Sequence, residues 1–364
     1  MSKTLIPAEV LKGPSPLILT ATLEPVAGDR FQPAGFPEIG HVIYKAPRKD
    51  GTIEHVCIVD SAASMANHLE SVCMRGAHDY DLVEELDGLP FIRCVTNTNV
   101  GSEPMEAREV VVTSFTEGHR IASTYFLEGY PIEENKKSGD RFDEVLISRF
   151  GIVLPKGKKA HPPASQWWKV FKTIFDLDPN SLVHGVLFPK WQIKIPRALT
   201  AHLEAFGAGR VDRSGVKFDR LGKTTSGQPI FAVDDATAES IRATFVMDMG
   251  LIRSFGRNKG NKQIGLSDKQ QELIVALALW KVQKLVESPF RYRSGCHLRC
   301  VALQSGGEDI VLAVNIQDAI KDAGFSEQPI TDVFWPREEL YREGNDTSSD
   351  VDEDNDDAED EGVE

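Results

Sequence analysis

The chain lacks any apolar run near the roughly 20 residues a membrane-spanning helix needs, and its first residues, MSKTLIPAEV, lack the apolar core of a secretory signal. A soluble, cytoplasmic protein without a membrane partner is expected. Cysteine is scarce and odd in number: Cys57, Cys73, Cys94, Cys296 and Cys300. Most lie in apolar runs, which predicts reduced core thiols and argues against a disulfide framework. The cluster Cys296-His297-x-x-Cys300 has no matching pair of ligands elsewhere. On a strand its two thiols share one face and the imidazole takes the other, so it reads as core and not as zinc.

Catalytic signatures are missing too. Gly222-Lys223-Thr224 has the end of a phosphate-binding loop, but Lys217 stands where the first glycine is required. Gly207-Ala208-Gly209 lacks the third glycine of a dinucleotide fingerprint, and neither Gly-x-Ser-x-Gly nor His-Glu-x-x-His occurs. Asp60 and Asp234-Asp235 read as caps or turn residues. No catalytic residue, metal or cofactor is expected.

Positive charge is absent from the last stretch. Residues 343–364 hold twelve acids and no Lys or Arg, so they carry nearly all of the net −14, and residues 1–342 are left at −2. Such a tail cannot bury apolar surface; it is expected to be disordered and to compete with an anionic partner for a basic groove. The body has two basic blocks. Residues 188–223 hold eight bases, among them Lys190, Lys194 and Arg197, against three acids; residues 251–300 hold ten against three, among them Arg253, Arg257, Lys259 and Lys262. Asymmetry of this size is an electrostatic footprint for an anionic partner, with a solvated lysine-rich face as the plainer reading.

The strongest local pattern is LEPVAGDRFQPAGFPEIG, residues 23–40. Pro25, Pro33 and Pro37 restrict the backbone and Gly28, Gly35 and Gly40 permit positive φ, so an irregular but constrained loop presents Arg30, Phe31 and Gln32 together. A guanidinium, a ring and an amide suit a phosphate and a base; the alternative is a packed loop with Phe31 in the core.

Periodicity places strands at Leu17–Val26, His41–Ala46, His55–Asp60, Leu89–Thr96, Ser181–Phe188 and Cys296–Leu303. It places helices from Ala62 towards Gly76, over Phe115–Leu127 behind a Ser114 capping box, and over Phe142–Phe150, Gln166–Leu177, Ala198–Phe206, Ser267–Glu287 and Ile316–Ala323. Without regular βαβ alternation the class is α+β. One domain over 1–342 is expected, with insertions at about 131–164 and 207–235, followed by the acidic tail.

Three segments, LEPVAGDRFQPAGFPEIGHVIY, VDSAASMANHLE and TSFTEGHRIASTYF, resemble the backbone RAMP subunit (Cas-seven group) of the type I-G, formerly I-U, CRISPR effector complex, the GSU-type RAMP family. SLVHGVLFPKWQIKIPRALTAHLEA, SGVKFDR, DMGLIRSFG and QELIVALALWKVQKLV extend the resemblance over most of residues 20–300. The chain departs at Thr116, Gly118 and Thr124, the last replacing a proline. The resemblance implies an RRM-like (ferredoxin-like) palm with inserted finger and thumb elements. It implies a subunit that polymerises along a CRISPR RNA and leaves the guide free to pair with target DNA. The implied partners are further copies in a helical filament, the large subunit and a fused Cas-five/Cas-six type subunit. A type III-like subunit that cleaves target RNA through a loop aspartate, Asp60 or Asp29, is the alternative.

On residue chemistry, Arg30 and Gln32 are expected at guide phosphates or sugar hydroxyls with Phe31 packed or stacked beside them, and Arg120 at a further phosphate. Lys190, Lys194 and Arg197 join them, and Arg253, Arg257, Lys259 and Lys262 form a basic loop over the guide or the displaced strand.

Overall fold

Strand β2 (Leu17–Pro25) alternates Leu19, Ala21 and Leu23 inward with Thr20 and Thr22 outward, the period of a strand with one covered face. That pattern recurs in the strands beside it. The computed structural model describes residues 2–35, 40–77, 79–98, 108–133, 136–153, 166–211, 235–259 and 262–340. In chain order, β1 (Lys3–Leu5) and α1 (Pro7–Lys12) precede β2; β3 (Ile43–Pro47), β4 (Ile53–Asp60) and α2 (Ala62–Ser71) follow. Next come β5 (Phe91–Asn97), β6 (Arg108–Thr113), β7 (Tyr130–Glu133), α3 (Phe142–Phe150), α4 (Trp167–Leu177) and α5 (Asn180–His184). The second half holds β8 (Leu199–Phe206), β9 (Ser240–Met247), α6 (Asp268–Val286), β10 (Phe290–Arg293), β11 (Cys296–Ser305), β12 (Glu308–Leu312), α7 (Ile316–Ala323) and β13 (Ile330–Trp335).

The main sheet runs β1-β12-β11-β2-β9-β8-β4-β3, with β10 paired to β11. Its centre, β11-β2-β9-β8, is antiparallel throughout. Helix α2 lies between β2 and β8 in the chain and α6 between β9 and β11, so two split β-α-β units interleave. That is the ferredoxin-like, RRM-like arrangement, and the α+β class is observed directly. Helix α2 packs on β8 and α6, and α6 also meets α1, α5 and α7. One continuous core joins these layers to a second sheet, in which Lys136–Lys137, β7, β13, β5 and β6 lie side by side.

Within the expected insertion at about 131–164, β7 and Lys136–Lys137 are strands of the second sheet, and α3 packs on α4. Most of the other expected insertion, residues 212–234 with the VKFDRL and PIFAV runs, lies outside the described residues, as does the acidic tail. The four thiols Cys57, Cys73, Cys94 and Cys296 are buried, Cys300 is half-buried, and all five are reduced.

Three expected elements differ. Residues 198–206 form β8 and not a helix. Leu199, Ala201, Leu203 and Ala205 all face the core in strict alternation, and pairing to both β9 and β4 outweighs the helix preference of Ala, Leu and Glu. The expected strand over 181–188 is divided: Asn180–His184 is the helical turn α5, and a short strand, Val186–Phe188, follows Gly185. No continuous helix runs over 115–127. The Ser114 hydroxyl accepts the Ile92 N–H instead of capping, and the chain makes a 3-10 turn at Arg120–Ala122 and one helical turn at Thr124–Leu127. By contrast α2 starts as expected, with the Ser61 hydroxyl accepting from Ser64 N–H, and α6 opens on a Ser267/Gln270 capping box.

Candidate nucleic-acid interface

The loop after β2 is pinned by backbone hydrogen bonds to three separate elements. Val26 N–H donates to His297, Gln32 N–H to Gly295 and Ala34 N–H to Val59, while Phe31 and Ala236 exchange a reciprocal pair at 3.0 and 2.9 Å. Phe31 is 1% exposed. Of the two roles expected for its ring, packing is the observed one; in this conformation no face is open to a base. Its burial leaves the neighbouring Arg30 side chain 65% exposed, 3.8 Å from Asp235. At 3.8 Å and with the guanidinium largely in solvent the contact holds little energy, so the guanidinium can turn from the buried Asp235 towards a phosphate.

Beneath the loop, Asp60 at the end of β4 is 1% exposed and fully occupied. Its Oδ1 accepts from Ser61 N–H at 2.9 Å and lies 2.9 Å from the Arg293 guanidinium; its Oδ2 accepts from Ser64 Oγ at 3.1 Å and lies 2.8 Å from His68 Nε2. Burial pushes the carboxyl up, but the His68 hydrogen bond and the Arg293 charge outweigh it, and the net position is below the ordinary value. Arg293 also donates to Val59 O at 3.0 Å, tying the turn before β11 to the end of β4. No signal of periodicity or spacing marked Arg293 for this role; it depends on two distant segments meeting.

A cleft of about 510 Å³ opens between the Gly118–Arg120 turn and the hairpin Val186–Phe188/Ile193–Ile195. Phe188, Trp191 and Phe150 anchor that hairpin through ring contacts of 5.1–5.9 Å. Gly185 lets it lie flat: a Cβ there would come within 2.9 Å of the Ile195 carbonyl, at φ +79°. With Ile193 and Ile195 buried, strand alternation leaves Lys194 exposed on the cleft wall. Arg197, half-buried, donates to Ala62 O at the start of α2 and also lines the cleft, and exposed His119 faces them. The sequence singled out Lys194 and Arg197 by their charge block; His119 joins them only through the fold.

Arg120 does not belong with these cations. It is 6% exposed and clasps Glu70 with two hydrogen bonds, Nε to Oε1 at 2.7 Å and Nη2 to Oε2 at 2.8 Å, and its Nη1 donates to the Gly118 and Gly185 carbonyls. Its φ of +52° is a strained value for a non-glycine residue, held by those four acceptors. The expected phosphate contact is therefore corrected to a buried structural pair. Behind it Asn180 donates to Glu70 at 2.6 Å, Lys281 donates to Asn180, and Lys281 Nζ sits 3.0 Å from His184 Nε2. Burial drives His184 well below its ordinary value, keeping the imidazole neutral beside the Lys281 ammonium. Lysine inside the apolar run LALWKV was the available signal for this interior network.

The second basic block separates into parts. Arg253, at the end of the short helix Met249–Ser254, donates to Leu11 O at 2.8 Å and Gly13 O at 3.0 Å, closing the C-terminus of α1. The expected loop contact of Arg253 is corrected accordingly. Arg257, Lys259 and Lys262 belong to a β-hairpin, Gly256–Lys259 paired with Lys262–Gly265, and not to an irregular loop. Arg257 is exposed and lies 5.3 Å over the Trp168 ring; Lys262 is exposed. Lys190 is exposed and pairs with Asp143 at 3.0 Å. Lys194 and Arg197 thus share the cleft and Arg30 stands on the pinned loop, whereas the 256–265 hairpin is a basic arm on α4.

Among the described residues no cluster of three His, Cys, Asp or Glu side chains is arranged to hold a metal, and no helix is long and apolar enough to cross a membrane. The family model described as CRISPR-associated protein GSU0053 matches residues 17–210, just over half of the chain. None of the curated proteins matches it. Among solved structures, the crystal structure of Thermofilum pendens Csc2 is similar over 88% of this chain and 76% of that one, at 11% identity and a TM-score of 0.29. So loose a likeness adds nothing to the strand order described above.

Proposed function

Because this chain belongs to the CRISPR-associated GSU0053 family, we propose that it is a backbone subunit of a type I CRISPR surveillance complex in the cytoplasm. It binds the sugar-phosphate backbone of the CRISPR RNA and presents the guide for pairing with target DNA. Further copies of the chain assemble beside it in a helical filament, and the large subunit and a fused Cas-five/Cas-six type subunit complete the complex.

One observation carries the reading. An open cleft on an RRM-like palm is walled by Lys194 and Arg197, with Arg30 exposed on a loop pinned by backbone hydrogen bonds. Point cations on restrained backbone suit phosphates and ignore base edges. Sequence is then read by pairing, as in other RNA-guided systems. The 256–265 hairpin supplies a second cationic surface for the guide or the displaced strand.

The alternative, cleavage of target RNA through Asp60, is disfavoured by chemistry. A carboxylate that is buried and has both oxygens engaged by Ser61, Arg293, Ser64 and His68 has no lone pair to spare for a metal or a water. Asp29 is exposed, and among the described residues it belongs to no group of three His, Cys, Asp or Glu side chains arranged to hold a metal. The reading is tested by sequencing the RNA that co-purifies with the tagged protein. Repeat-spacer RNA is expected; a preparation without nucleic-acid absorbance overturns it, and regular cuts in complementary RNA with Mg²⁺ would restore the nuclease.

A further inference from the structure

A second cleft, of about 460 Å³, lies directly across the Gly118 turn from the basic one, and Gly118 lines both. The two differ in chemistry. The first presents Lys194, Arg197 and His119. The second is formed by α2 and the 115–118 segment, with Asn67, Ser71 and Thr116 as exposed neutral polar groups around Met74 and Phe115. Both of its acids are already occupied. Glu70 is held by Arg120 and Asn180; Glu117 accepts from Gly118 N–H at 2.8 Å and from Ser123 Oγ at 2.5 Å.

A small anion needs only the first cleft, and an uncharged apolar ligand only the second. A ligand that suits both carries negative charge at one repeat position and a neutral, partly apolar group at the next, which is the description of a single-stranded nucleic acid. The ridge between the clefts is stiff, because Arg120 holds the Gly118 carbonyl from below. It is also low. Gly118 is exposed, its φ lies outside the left-handed region, and a Cβ there would meet nothing within 4 Å.

We propose that the two clefts are one groove and that the bound single strand crosses from phosphate contacts at Lys194 and Arg197 to sugar and base contacts at Asn67 and Ser71 over the ridge at Gly118. This rests on the RNA-binding reading above and adds the path. The absence of a side chain at Gly118 is a requirement of that path and not of the fold.

The test uses fluorescein-labelled oligouridylates of 4 and 12 nucleotides and the full chain. The wild-type protein binds the 12-mer at least about tenfold more tightly than the 4-mer, since phosphate and stacking contacts accumulate with length. Gly118→Trp, which the backbone and the open space around Gly118 tolerate, removes most of that length advantage, costing the 12-mer at least about fivefold more affinity than the 4-mer. Ser71→Trp, on the exposed face of α2, does the same from the far side. If both variants keep the full advantage for the 12-mer, the crossing is wrong and RNA binding stands. Equal losses for both lengths in both variants also overturn it, because the bulk then acts on the basic cleft alone. If the wild-type chain binds neither oligonucleotide, the function proposed above fails and the path with it.

Discussion

Arg120 and Glu70 form a bidentate ion pair in the interior, 50 residues apart in sequence and closed at 2.7 and 2.8 Å. It fastens the turn that walls the basic cleft to α2, which lines the neighbouring cleft. Two charged groups this deep are tolerated because each has further hydrogen-bond partners beside it, Arg120 two carbonyls and Glu70 Asn180.

Arg120→Ala therefore acts on stability before it acts on RNA. Removing one partner of a buried pair costs about 3–5 kcal/mol, since an uncompensated Glu70 remains. Urea unfolding measures it. A variant with wild-type stability and weakened RNA binding would return Arg120 to the ligand site.

Lys194→Ala with Arg197→Ala should act the other way. Each phosphate contact on a single strand contributes about −0.7 to the slope of log affinity against log salt, so the double variant flattens the slope by about 1.4. Lys194 is exposed, so its replacement leaves the unfolding midpoint close to wild type. Affinity measured over a salt series on an unstructured RNA checks the slope, and urea unfolding of Lys194→Ala checks the midpoint.

Phe31→Ala separates packing from stacking. A fully buried ring truncated to a methyl costs about 3–5 kcal/mol, and Phe31→Leu, which retains most of the volume, costs about 1.5 kcal/mol or less. The leucine variant should bind RNA as wild type does. A loss of affinity in that variant at unchanged stability would mean that the loop opens and the ring meets a base.

Stability should fall as pH rises towards neutral through Asp178. Burial pushes its carboxyl up to about 7; the Ser181 hydroxyl pulls it down and the neighbouring Glu70 adds to the rise. The folded state then holds a proton that the unfolded chain has released above its ordinary value near 4, so folding is penalised progressively between about pH 4 and 7. Asp178→Asn removes the penalty. Its stability relative to wild type should be greater at pH 8 than at pH 5 in denaturant titrations at the two values; no difference would mean that Arg120 and Lys281 keep the carboxylate charged.

Legibility followed the range of the interaction. Helices α3, α4, α6 and α7, strands β3 and β4 and the start of α2 were readable, because periodicity and caps act within a few residues. The charge blocks and the constrained loop, as far as residue 35, were readable for the same reason, and they singled out Arg30, Lys194 and Arg197, which the fold leaves exposed or half-buried. Strand β8 was not, since its composition favours a helix and only pairing on both sides makes alternation pay. Arg120 and Arg253 were misplaced because charge in a sequence does not say whether a buried acceptor waits for it.

By itself the sequence determined the class, the family resemblance, the reduced core thiols and the concentration of acid in the tail. Composition and local pattern are sufficient for each. The tertiary structure decided which cations remain exposed, that Phe31 is a core ring, that Asp60 is saturated, and that Gly118 divides two unlike clefts. These depend on contacts between segments tens to hundreds of residues apart, where burial and the supply of partners, rather than residue type, determine what a side chain can do.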